Sequence, residues 1–213
     1  MNFLPSPAVL LAFAAASALL AATPGPDMAL FLSRTLGGGR AHGFAALAGA
    51  MTGLLVHTCA AALGLSALLA ASAHAYDAVK LAGALYLLYL AYGALRHGAA
   101  LRLEGQGGGN GGLGRSYLTG LLINLTNPKI VLFFVTFLPQ FIDVGEAGAS
   151  QKFFFLGFVF IAVALAVNSG VILVASRFIA AAKANPRAIR WFDYGFAGLM
   201  GAFAARLVLA QGR

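Results

Sequence analysis

The chain has 213 residues, of which 61% are hydrophobic and 9% charged, with a mean hydropathy of +0.87. A soluble domain typically carries about 25% charged residues, so this chain cannot cover a water-facing surface and the bilayer is its natural solvent. Its net charge of +8 comes from 14 Lys+Arg against 6 Asp+Glu, set singly between apolar runs, which speaks against a nucleic-acid-binding stripe and for charges at helix ends.

Six apolar runs follow in order, at roughly 6–24, 43–71, 78–96, 115–139, 153–176 and 189–209. A span needs about 20 mostly apolar residues, so the length holds these six and no soluble domain. No Lys or Arg precedes Arg34, so the first run lacks the positive start of a signal peptide and is expected to stay as a span. It ends in Thr23-Pro24-Gly25-Pro26-Asp27, after which Met28–Thr35 forms a further short helix and Gly37-Gly38-Gly39-Arg40 a loop. Pro24, Gly25 and Pro26 make a strong helix break. Asp27 is the only acid among the first 76 residues. A carboxylate at membrane depth costs several kcal/mol, whereas the first turn of a new half-helix, with its free N–H groups, favours it.

The second run holds His57, Thr58 and the lone cysteine. Cys59 excludes an intrachain disulfide and reads as a small packing residue. Gly49-Ala50-Met51-Thr52-Gly53 has the small-xxx-small spacing of close helix contacts. The third run carries a tyrosine ladder, Tyr86, Tyr89 and Tyr92. Residues 97–114 form a glycine-rich linker at mid-chain. The fourth run is broken at Thr126-Asn127-Pro128-Lys129, and Lys129 is the only charge in 117–138. An ammonium there needs Asp27, a substrate carboxylate or the carbonyls freed by a break. Asn124, Thr126 and Asn127 beside it read as a polar pocket wall. In the fifth run, Asn168 and Ser169, like His57, either line a cavity or make interhelical hydrogen bonds.

A shift of 102 residues lays Pro26 on Pro128, Asp27 on Lys129, Leu30 on Leu132 and Phe31 on Phe133. Three runs on each side of the linker then give halves of opposite orientation. The expected fold is an all-α integral membrane protein, with six transmembrane helices as a 3+3 inverted repeat and runs one and four broken. Its parts would be residues 1–96, the linker 97–114 and residues 115–213. Connectors 1–2, 3–4 and 5–6 hold Arg34, Arg40, Arg96, Arg102, Arg115, Arg177, Lys183, Arg187 and Arg190, against Lys80, Lys152, Arg206 and Arg213 opposite. The richer side, with the linker, is expected in the cytoplasm and both termini outside. HExxH, GxSxG, P-loop and CxxC signatures are absent from the sequence, so neither an enzyme nor a cofactor is expected.

Several motifs together resemble the LysE/RhtB amino-acid exporters. They are Ala22-Thr-Pro-Gly-Pro-Asp-Met28, Gly39-Arg-Ala-His-Gly43, Gly49 to His57, Lys80-Leu-Ala-Gly-Ala-Leu-Tyr-Leu-Leu-Tyr-Leu90, Asn124-Leu-Thr-Asn-Pro-Lys129 and Phe137-Leu-Pro-Gln-Phe141. The resemblance covers most of 6–176 and implies export of amino acids or related zwitterions across a bacterial inner membrane. The expected site is Asp27 and Lys129, with Asn124, Asn127 and Thr23, the breaks at Pro24, Gly25, Pro26 and Pro128, and His57 and Asn168 as further lining. Expected partners are the substrate, protons and lipid, with room for a homodimer. The alternatives are export of another solute such as a metal cation, on His57 and Asp27, or a membrane scaffold.

Overall fold

The computed structural model describes residues 5–65, 111–142 and 148–209, with scattered positions between 67 and 96. Most of the third expected run, with Lys80 and Tyr86, and linker residues 97–110 lie outside the described residues. Every described element is helical.

Helix α1 spans Pro7–Ala22, with Ser6 as its N-cap and proline in its first turn. Pro24 cannot continue it, and α2, Pro26–Gly38, restarts with proline at the same place. The two helices are bent by 54° at the break. Helix α3, Arg40–Ala60, runs on through a wide turn at Ala61–Leu65. The loop expected over Gly37–Arg40 reduces to one residue, because Gly39 takes φ +85°, which permits reversal without further chain.

The second half begins with α4, Leu113–Thr126. Asn127 stands between it and α5, Pro128–Leu132, which continues through a wide turn at Phe133–Phe137 and a tight one at Leu138–Phe141. The bend is 50°. Helix α6 spans Ala149–Leu173, α7 Ala175–Ala184 and α8 Pro186–Leu209. Among the described residues, Arg40–Leu65 and Ala149–Leu173 are each long and apolar enough to cross a bilayer, and the two bent pairs bring the number to four if each is one span.

Helix α3 packs against α2, α4 and α6. Its contact with α4 is backbone to backbone. A Cβ on Gly49 would sit 1.9 Å from the Tyr117 carbonyl oxygen, and one on Gly120 would sit 2.0 Å from that of Ala46. The small-xxx-small spacing in run two therefore has its partner in run four. Cys59, expected to pack inside, is exposed, since the inward face of α3 is taken by Ala50, Leu54 and Thr58. The largest apolar cluster joins α1, α5 with its continuation, and α6, through Phe13, Phe133, Phe134, Phe137 and Phe160. Phe133 and Phe160 have ring centroids 4.4 Å apart, and Phe13 stacks on Phe137 at 5.9 Å.

Candidate functional site

A helix broken inside a bilayer frees carbonyls at the end of one segment and N–H groups at the start of the next. The two breaks here meet, and side chains of the second hydrogen-bond to groups of the first. Lys129 Nζ, from the second break, donates to the carbonyl oxygens of Thr23 at 3.0 Å and Leu20 at 3.3 Å, at the end of α1. A cation at a helix C-terminus is also favoured by the helix dipole. Gly25 makes the approach possible, because a Cβ there would stand 3.1 Å from Lys129 Nζ. Of the three partners expected for Lys129, it is the freed carbonyls that hold it.

Asp27 lies in the first turn of α2. Its Oδ2 accepts from Asn124 Nδ2 and Asn127 Nδ2, each at 3.0 Å. Asn127 works twice, since its Oδ1 also accepts from the Lys129 backbone N–H at 3.0 Å and so caps α5. Asp27 Oδ1 and Asn124 Oδ1 are buried acceptors with no hydrogen bond in the protein. Each such group carries a desolvation cost unless something else binds it.

Thr23, Asp27, Asn124, Lys129 and Asn168 line one small cavity of about 30 Å³. That volume is well below what an amino acid occupies, so the site is contracted in this conformation. Its remaining wall is apolar and includes Phe31, Met51, Leu54, Phe160 and Ala164. Sequence reasoning missed these five, because an apolar side chain in an apolar run carries no contrast. Helical register is the only signal, and it needs one lining residue already known.

Other expected residues fall differently. Asn168 lines the cavity and donates to the Ala164 carbonyl within its own helix at 2.8 Å. His57 is outside the cavity wall. Its ring stacks on Phe134 at 5.5 Å, and its Nε2 lies 3.4 Å from the Asn124 carbonyl oxygen, the position of a brace for the end of α4. Thr126 is exposed and bonds back to Leu122 at 2.8 Å, so it does not join the polar wall. Pro24 is buried, whereas Pro26 and Pro128 are exposed.

The chain matches the sequence profile of the LysE type translocator family over residues 18–211. It is 30% identical to the homoserine/homoserine lactone efflux protein of Salmonella typhimurium over 200 residues, covering 94% of this chain and 96% of that one. It is 29% identical to the leucine efflux protein of Klebsiella pneumoniae, covering 88% and 89%. It is also 30% identical to an uncharacterized membrane protein of Pseudomonas aeruginosa, covering 88% of each. No solved structure matches the chain.

Proposed function

This chain belongs to the LysE type translocator family, and we propose that it is a secondary transporter exporting a neutral amino acid or similar zwitterion across the bacterial inner membrane by proton antiport. The carrying observation is an acid and a base lining one cavity at two facing helix breaks, each with bonding capacity left over. Asp27 Oδ1 has no partner in the protein and would accept from a substrate ammonium. Lys129 makes two hydrogen bonds with its three donors and would give the third to a substrate carboxylate. The apolar lining suits an uncharged side chain, in keeping with the homoserine and leucine in the relatives' names.

The cavity of about 30 Å³ is too small for an amino acid, so loading requires the broken segments to part. A proton on Asp27 would release its claim on the substrate ammonium, which makes Asp27 the proton carrier. The near-equal bends of 54° and 50° support a pseudo-twofold relation between residues 1–96 and 115–213. In that arrangement six spans rock about the breaks, with the linker in the cytoplasm and both termini outside.

Purified protein in proteoliposomes, loaded with a panel of unlabelled amino acids and offered labelled ones, tests this directly. Counterflow of at least one neutral amino acid is the expected result, together with net uptake into empty vesicles driven by acid inside them. No counterflow with any amino acid contradicts the substrate reading, and net uptake into empty vesicles indifferent to a proton gradient contradicts the coupling.

A further inference from the structure

A second cavity, of about 470 Å³, lies between the α2–α3 turn and the α6–α7 junction. Arg40 and Arg177 both line it and both are exposed, and no acidic residue lines it among the described residues. Arg40 is held in place, donating from Nη2 to the Leu173 carbonyl oxygen at 2.9 Å, with further guanidinium donors left over.

The register of two helices connects this cavity to the site at the breaks. On α2, Met28 and Phe31 line the inner cavity and Thr35 the outer one. On α6, Ala164 and Asn168 line the inner cavity and Ile172 the outer one. Residues three or four apart share a helix face, about 6 Å of axis per four residues, so both helices present one continuous wall from cavity to cavity. Phe31, Leu47, Ala50 and Ile172 belong to a single packed cluster. Since Phe31 and Ala50 line the inner cavity and Ile172 the outer one, that cluster is the septum between them.

We propose that the Arg40–Arg177 cavity is a loading site for the carboxylate of an amino acid, from which the substrate passes the Phe31–Leu47–Ile172 septum to reach Asp27 and Lys129. This rests on the transport reading above. The planar guanidinium matches a carboxylate fork, and a basic mouth concentrates anionic groups before the septum opens. The cavity lies on the arginine-rich side, where an exporter meets its cargo if positive charge marks the cytoplasm. The same oxyanion chemistry would also hold a lipid phosphate, and the lipid composition of the test separates the two.

The full-length chain is reconstituted in phosphatidylcholine alone and, separately, with phosphatidylglycerol added, and counterflow of labelled leucine and homoserine is measured against concentration. Arg177→Gln should raise the half-saturating concentration about tenfold, the size of one lost charge-assisted contact, with the saturated rate little changed. Arg177→Lys should restore part of the loss. An unchanged half-saturation in both Arg177→Gln and the Arg40→Gln, Arg177→Gln double variant, beside a wild type that transports, overturns the loading site alone. A shift seen only in vesicles with phosphatidylglycerol identifies a headgroup as the occupant and also overturns it. A wild type that moves no amino acid overturns the transport reading and the loading site with it.

Discussion

At the scale of single residues, the site is an exchange between two breaks about a hundred positions apart. Asn127 is its most connected member, capping α5 through Oδ1 and holding Asp27 through Nδ2. Asn127→Ala removes both, and should lower the stability of the detergent-solubilised protein by about 1–3 kcal/mol. Thr126→Ala, one residue away but exposed and bonded to its own helix, should stay within about 0.5 kcal/mol of wild type. Thermal melts of the two variants side by side check this, and equal losses would remove Asn127 from its role. Asp27 and Lys129 were legible in the sequence because a lone charge in an apolar run has few places to go. Their partners were only partly legible: Asn124 and Asn127 stood out as polar residues near Lys129, yet nothing in their spacing says that both amides turn to Asp27.

At the scale of elements, proline punctuation marked both breaks, and the structure bends there by 54° and 50°. The glycine spacing in α3 announced a close contact without naming α4, since the matching Gly120 stands in a run with no second glycine at that spacing. Gly49→Ala would put a Cβ 1.9 Å from the Tyr117 carbonyl oxygen, so the helices must separate, at about 1–3 kcal/mol. Gly170→Ala, on α6 with nothing within 4 Å of its added Cβ, should leave stability unchanged or raise it by up to about 1 kcal/mol through helix propensity. A fluorescence size-exclusion melt of both variants reads the difference in sign. The wide turns at Ala61–Leu65 and Phe133–Phe137 had no signature in the sequence, because no proline or glycine break is needed to widen a helical turn, only room for the extra residue. Phe133–Phe137 supplies three rings to the aromatic cluster beside the cavity, so that insertion bears on how the cavity is walled.

At the scale of the whole molecule, the charge bias predicts the linker inside and the connector after the fourth run outside. In a Cys59→Ser background, Ala147→Cys should react with a membrane-impermeant maleimide added to intact cells, and Gly108→Cys only after the membrane is opened. The reverse pattern would invert the topology and place the Arg40–Arg177 cavity on the exit side. Membrane residence was legible from the scarcity of charge alone, since 9% charged residues cannot dress a soluble surface. The route from cavity to cavity was not, because it depends on which faces of α2 and α6 turn to each other, and α6, apolar all round, gives no strong inward stripe. The central claim is that Asp27 and Lys129 hold the transported zwitterion between the breaks. Counterflow in proteoliposomes holding equal amounts of correctly inserted wild type, Asp27→Asn and Lys129→Ala tests it most directly. Loss of transport in both variants, by about a hundredfold or more as expected for a buried charged contact at the site, is the predicted result, and full transport in both would contradict it.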